Sequence, residues 1–593
     1  MDLILLLFQR QMLLPDIIDS IFLNYFTEHC TPEFIQFFIH FFREVLLTRL
    51  LLPCSLLLNT FTYLISLKEV NQKMNESASQ QLYSLLLELQ AKDQSIQEEQ
   101  HYNMIVSPLV KSWFTYITFH TIVPDITAKN YLSQMNNMNV FVSSSSIHSF
   151  FKIFIDEAVQ RDMIAMSHPA NQLPYMNIDS VICLVQILNK HLDSALLFTV
   201  NSTVLQSMQE CLCRSHDLFF SSFNPQSYFR LFLSYFEDVI VKINDNNKYT
   251  EYLLMYLNIL SLITPSRLPG FVKYYFLLLS HPILIRDCNH LPDATVQIQY
   301  KNLLCDYLQY LSKLLPNGSY FTPYKDLYVE LLKYLMMLLS HYSSFLSYHY
   351  QSLISNINFN MIEARNIILS AIPSEMEKRE LDETNIEEFS KTFNSIPYIE
   401  EYYNDYIIKN HLNEPILSYI ENREKSFLNF ILPYMKKEEK DQVIYDLSAI
   451  QSITFYLAVN GYYYMQKHKS ENGKTQKKYS FPSEIFNMIL KSFTSEGQYY
   501  LLNSCIDHLR FANLHTKCFY NLTMFLYDKS TVEGVKETIF KILFERITCK
   551  SPHSWSLVKV FTDITQNEKY GFKKSEIYLK YPQLESIIND LLK

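Results

Sequence analysis

Apolar residues along this chain recur at the spacing of a helix rather than that of a strand. Between Glu33 and Leu47, residues Phe34, Phe37, Phe38, Phe41, Phe42, Val45 and Leu46 fall at i, i+3, i+4, i+7 and i+8, one stripe on a 3.6-residue period. The stripe returns in Tyr228–Ile240 (Phe229, Phe232, Leu233, Phe236, Val239, Ile240) and in Glu496–Arg510 (Leu501, Leu502, Cys505, Ile506, Leu509). Sustained two-residue alternation bounded by turn residues is absent, so the pattern predicts helices almost throughout. Pro15, Pro32 and Pro53, about twenty residues apart, each precede or open a helical run. A proline fits the first turn of a helix but not its interior, so these read as successive helix starts. Helix pairs of that length match the scale of the HEAT and armadillo families, about 40–47 residues per hairpin. The predicted fold is all-α, a HEAT-like stack of helical hairpins forming an α-solenoid, although no motif repeats in sequence.

Breaks in the pattern suggest boundaries. Gln90–Gln100 is polar and reads as a solvated helix end; Asn136–Ser146, with its Ser143–Ser146 run, reads as a loop ending in an N-cap. Ser374–Asn385, after Pro373, is a charged connection, and His468–Tyr479, with Lys469, Lys474, Lys477 and Lys478, reads as an exposed loop. Lys436–Asp441 mixes both signs of charge and reads as a solvated helix start. The expected organisation is a connector-like helical segment over 1–135, a HEAT-like array over 136–375 and a helical block over 376–593.

Composition sharpens this picture. The 593 residues include only 7 glycines, far too few for the turns and bulges of a large sheet protein, whereas a helical protein needs glycine mainly at C-caps. The formal charge of -9 gives no overall attraction to nucleic acid. The lysines of the 467–478 segment have no aromatic interleaved for base stacking, so direct RNA binding is not expected. The ten cysteines are scattered, as in a reduced compartment. Met1–Phe8 is apolar but short and carries Asp2 where a secretory signal would be basic. Leu50–Leu67 is uncharged over 18 positions, yet Pro53, Ser55, Asn59, Thr60, Thr62 and Ser66 favour two buried helix segments over a membrane span.

The same counts exclude much chemistry. Gly461 and Gly473 are the nearest pair of glycines, twelve positions apart, so no dinucleotide fingerprint, P-loop or nucleophile elbow exists. There is no H-E-x-x-H and no C-x-x-C. Cys211, Cys213 and His216 form the best metal-like cluster, but Cys211 leaves the face shared by the other two, and no second pair completes a zinc site. They read as structural side chains. No nucleophile is spaced for pairing with a base, so no catalysis, cofactor or metal is expected.

Three clusters carry a resemblance. One is Glu496-Gly497-Gln498-Tyr499 with Leu502-Asn503, Leu509-Arg510, Asn513, His515-Thr516 and Phe519; another is Leu543–Arg546 with Pro552-His553, Trp555 and Leu557. The third, upstream, runs Pro269-Gly270-Phe271-Val272, Ser280-His281, Tyr348-His349-Tyr350, Arg365-Asn366, Ile368–Ala371 and Pro373. In this order they resemble the C-terminal domain of the NOT-one scaffold of the CCR-NOT deadenylase complex, most strongly over 255–375 and 495–565. The resemblance implies a non-catalytic scaffold that anchors the NOT-two and NOT-three/five subunits for messenger RNA deadenylation, decay and repression. It also implies docking of short linear motifs from mRNA-binding repressors, no membrane, and a cytoplasmic location with the nucleus as a second one. Family scaffolds are much longer, so deadenylase docking is not carried over. A HEAT-type adaptor or nuclear transport receptor is the competing reading. Arg510, His515, Glu545, Arg546, His553, Trp555, His349 and Arg365 are the candidate partner-binding or fold-fixing residues. Glu545, Arg546, Arg510 and His553 are expected in one buried polar network, Trp555 in the core, and Gly270 at a turn between helices.

Overall fold

A computed structural model describes residues 104–591 apart from 118–122, 168–175, 219–222, 292, 316–321, 359, 373–398, 440–441, 473–482, 512–513 and 550–552, together with His40 and Tyr102. The stripe at Glu33–Leu47, the uncharged Leu50–Leu67 stretch, Gln90–Gln100 and Ser374–Asn385 lie outside the described residues, His40 apart. The chain divides into two compact units, Met1–His281 and Pro282–Lys593, so position 375 falls inside the second.

From residue 104 on, the described helices of the first unit are α1 (104–117), α2 (Asp125–Asn137), α3 (Ser144–Ser167), α4 (Met176–His191), α5 (Ser194–Leu218), α6 (Pro225–Tyr235), α7 (Asn246–Leu262) and α8 (Val272–Leu279). Their starts are written locally. Asn224 accepts the Gln226 backbone N–H with Pro225 in the first turn, and Asp245 accepts from the N–H groups of Asn247 and Lys248. Ser143 caps α3 by accepting from the Ser146 N–H at 3.1 Å, within the segment read as a loop ending in a cap. The α6 stripe continues through a π-helical turn, Phe236–Ile240. Its buried face is wider than the apolar pattern alone, because Tyr228 and Tyr235 join Leu231, Phe232 and Phe236. Trp113 of α1 is buried and donates its indole N–H to the Ser180 carbonyl at 3.1 Å.

The second unit holds α9 (Pro282–His290), α10 (Ala294–Leu314), α11 (Thr322–His341), α12 (Ser343–Ile354), α13 (Ile362–Leu369), α14 (Ile399–Lys409), α15 (Asn413–Asn422) and α16 (Phe427–Met435). A hairpin of β1 (Lys436–Glu439) and β2 (Gln442–Tyr445) follows. The chain continues with α17 (Leu447–Asn472), α18 (Ser483–Ser492), α19 (Ser495–Ile506), α20 (Leu514–Lys529), α21 (Val535–Ile547), α22 (Trp555–Gln566), α23 (Glu576–Lys580) and α24 (Leu584–Leu591). Helices pack on their second neighbours: α10 on α12 and α11 on α13, then α17 on α19 on α21 in one row, with α18 on α20 on α22 in the other. Two rows of alternate helices are the signature of stacked hairpins, each burying an apolar face it cannot bury alone.

Two expectations change here. Lys436–Asp441 does not begin a helix: Lys436–Glu439 pairs antiparallel with Gln442–Tyr445, Lys436 opposite Tyr445. Tertiary packing overrides the local charge pattern, since Tyr445 sets its ring edge-on to Phe493 at 5.0 Å and reaches the Thr494 N–H at 2.9 Å. The ring lies over Gly497, where any Cβ would overlap it. The exposed loop read at His468–Tyr479 begins later than expected, because α17 continues through Asn472; 473–479 lie outside the described residues.

Scarce glycine has a visible consequence. Asn139, His411 and Arg423 adopt the left-handed backbone at φ 56, 54 and 60°, and Arg423 is the C-cap of α15. A side chain in that region costs about 1–2 kcal/mol, which glycine avoids. His411→Gly is therefore expected to raise stability by about 1 kcal/mol. A urea midpoint unchanged or lowered relative to the parent chain would count against this account.

Candidate functional site

Members of the three family-like clusters that lie in the second unit converge on a residue none of them includes. Asp507, directly after α19, is 2% exposed and lies between two buried arginines. Arg365 of α13 donates an Nη2–H to its Oδ2 at 2.5 Å, and Arg546 of α21 donates to its Oδ1. A third guanidinium, Arg510, donates to the carbonyls of Ala371 and Ile368, closing the C-terminal end of α13, and lies 4.3 Å from the Tyr350 ring centroid. Asn366 donates to the Glu545 carbonyl at 3.2 Å. Segments about 140 positions apart are thus held by charge-assisted hydrogen bonds in a water-poor core.

Burial sets the electrostatics. It pushes the Arg510 guanidinium down to about 10, with Arg546 acting in the same direction, and it lowers Arg546, against which Asp507 pulls upward. Beside Arg510 lies a cavity of about 20 Å³, lined by Arg546, Ser370, His553 and Leu557 among others. Ser554 donates to the Leu509 carbonyl at 2.6 Å at its edge.

The expected network therefore changes membership. Arg510 and Arg546 sit in it and Arg365 joins them, but the carboxylate is Asp507. Glu545, one residue before Arg546 on a helix, faces away and accepts from the Tyr499 hydroxyl at 3.0 Å. His553 lines the cavity, and burial lowers its imidazole. Trp555 is not in the core: as the first residue of α22 it is half-buried at the rim. His349 contacts Gln297 at 3.2 Å and the Phe345 ring at 5.1 Å; burial, then Lys301, pushes it down to about 4. His515 packs edge-on to Phe455 at 5.1 Å, and neighbouring His508, stacked on Phe519 at 4.4 Å, is pushed down to about 3 by burial. Asp507 had one sequence signal, a charge set inside the apolar stripe that ends at Leu509.

In the first unit, Cys211 and Cys213 are buried, and burial raises both thiols. His216 packs edge-on to Phe223 at 5.2 Å. Gly270, in the 3₁₀ turn Pro269–Phe271 that leads into α8, lets that turn approach them; a Cβ would come within 3.2 Å of Phe223 and 3.3 Å of His216. Among the described residues, no three His, Cys, Asp or Glu are grouped to hold a metal, and no helix is long and apolar enough to cross a membrane. Two further features lie at the surface. A groove of about 540 Å³ opens between α4, α5, the π turn and α7, with Phe198 and Tyr252 in edge contact at 6.0 Å. In the second unit Ile408 of α14, Leu417 of α15, Phe430 of α16 and Ile444 of β2 are exposed.

The sequence model of the family described as CCR4-Not complex component, Not1, matches residues 239–592, more than half of the chain. The chain belongs to the Not1 family. It is similar to CCR4-NOT transcription complex subunit let-711 of Caenorhabditis elegans, 21% identical over 501 residues, covering 79% of this chain and 19% of that protein. It is also similar to General negative regulator of transcription subunit 1 of Saccharomyces cerevisiae, 23% identical over 505 residues, covering 79% and 23%. The protein of that name in Schizosaccharomyces pombe is 22% identical over 565 residues, covering 88% and 25%. The chain thus spans about a fifth to a quarter of the length of these curated relatives. Among solved structures, the NOT1 superfamily homology domain from Chaetomium thermophilum superposes with a TM-score of 0.71 at 17% identity, covering 84% of this chain and 99% of that one. A Not1 C-terminal domain in complex with Not4 gives 0.63 at 19%, covering 82% and 100%. This Not1-family chain accordingly has the all-α, HEAT-like fold that its apolar period predicts.

Proposed function

We propose that this chain is a non-catalytic scaffold of a cytoplasmic CCR4-NOT assembly, anchoring the NOT-two and NOT-three/five subunits for messenger RNA deadenylation and repression. The family match over 239–592 carries the reading, and it favours this scaffold over a transport receptor of similar architecture. The surface supports it physically. Stacked hairpins leave ridges and furrows along their length, and exposed Ile408, Leu417, Phe430 and Ile444 offer apolar contacts to an extended arm. Burying one such side chain contributes about 1.5–3 kcal/mol, against roughly 0.5–1.5 kcal/mol for each partner side chain immobilised. Several anchors along a long footprint are therefore needed for stable assembly.

The full chain, mixed at micromolar concentration with the N-terminal arms of NOT-two and NOT-three/five, is expected to elute as one complex in gel filtration. Ile408→Asp combined with Phe430→Asp should weaken that complex by tenfold or more while leaving thermal stability near that of the parent. Separate elution of the unmutated chain and both arms would overturn the reading. Because one fold neighbour was solved with Not4, a Not4 fragment belongs in the same experiment as a second candidate.

A further inference from the structure

The β1–β2 hairpin has two unlike outer edges. β1 reads Lys-Lys-Glu-Glu, a charge at every position, which resists the addition of a further strand. β2 reads Gln-Val-Ile-Tyr, uncharged and rich in strand-forming side chains. The register fixes which backbone groups the β2 edge offers. The Asp446 N–H donates to the Met435 carbonyl at 3.0 Å, one step beyond the Lys436–Tyr445 pair. Hydrogen-bonded pairs alternate along an antiparallel ladder, so the next ones fall at Lys437–Ile444 and Glu439–Gln442. Val443 and Tyr445 therefore turn their backbone N–H and C=O groups away from β1. No hydrogen bond from another described residue meets those four groups. One face of the hairpin is already fixed: the Tyr445 ring packs on Phe493, its hydroxyl accepts from the Thr494 N–H, and Lys436 Nζ donates to the Ser492 carbonyl at 2.9 Å. On the other face Ile444 is 51% exposed, opposite exposed Lys437.

We propose that the open edge of β2 takes an extended segment of a partner polypeptide as a third strand. The proposal rests on the scaffold reading above and names how one of its arms is held. The segment's backbone completes the Val443 and Tyr445 bonds, an apolar side chain lies beside Ile444, and a basic one meets exposed Asp446 where β2 ends. Such an edge selects for an extended backbone with alternating side chains, whereas furrows between stacked helices select for apolar anchors.

The test mixes the full chain with the N-terminal arms of NOT-two and NOT-three/five and follows amide hydrogen exchange residue by residue. In the chain alone the Val443 and Tyr445 amides should exchange rapidly, and in the complex they should slow by about tenfold or more. Val443→Pro removes an outward N–H, a change that edge strands tolerate, so it should weaken the complex about tenfold while Tm stays within about 2 °C of the parent. If that variant loses stability instead, the exchange result alone decides. A complex in which both amides exchange as they do in the free chain overturns the proposal and leaves the scaffold reading standing. Slow exchange of both in the chain alone, whether its own residues or a second copy cover the edge, overturns it as well. If no complex forms, the scaffold reading has failed and this anchor with it.

Discussion

Asp507→Ala is expected to cost about 3–5 kcal/mol of folding stability, because it removes the carboxylate between Arg365 and Arg546 and leaves both guanidiniums buried without it. The loss should appear as a large drop in the urea midpoint. The pair of arginines, not the missing contact, is the source of the cost. Removing all three charges together, as Arg365→Met, Asp507→Leu and Arg546→Met, should therefore recover most of the stability, since an apolar cluster of similar volume often equals a buried ion pair. If the triple variant were as unstable as the single one, packing rather than unpaired charge would be responsible. If Asp507→Ala melted with the parent, the junction would hold nothing together.

Acid should unfold the second unit through its buried histidines. His349 and His508 are held neutral in the fold, pushed down to about 4 and about 3, against about 6.5 in an unfolded chain. Between those values the unfolded state binds protons that the folded state does not, so stability falls as pH falls. The contribution is fully present above about pH 6.5 and is lost progressively below it, the loss reaching about 3 kcal/mol for each histidine by pH 4. Urea midpoints at pH 7, 5.5 and 4 measure it. His349→Gln, which keeps a polar partner for Gln297 but cannot titrate, should remove about half the slope. A parent profile flat from pH 7 to 4 would show that neither ring is buried as described. The exposed carboxylates Asp125, Asp293 and Glu585 are lowered by their hydrogen-bonding partners, so their effect falls at still lower pH.

What the sequence reveals and hides here follows from range. Helix period and caps are local, so the α6 stripe and the capping residues Asn224 and Asp245 could be read from neighbours within a turn or two. The β1–β2 hairpin could not, because its hold comes from Tyr445 reaching Thr494 across 49 positions. The candidate site shows the same divide. Arg365, Arg510 and Arg546 stood out in motifs, but which acid would meet them depends on the side that each faces after folding. Adjacency on the chain favoured Glu545, and one step around the α21 helix sends it to Tyr499 instead. Trp555 misled for a related reason: its size suggested the core, and its place at a helix start put it at the rim.

A stack of hairpins, left to nearest-neighbour contacts, can fray one layer at a time from either tip. The Arg365–Asp507 bond closes a loop of 142 positions across such a stack, so layers far apart along the chain stand or fall together. A lesion on α13 is then felt on α21, and surveillance proteases meet either an intact array or a wholly opened one, with little between for them to nibble.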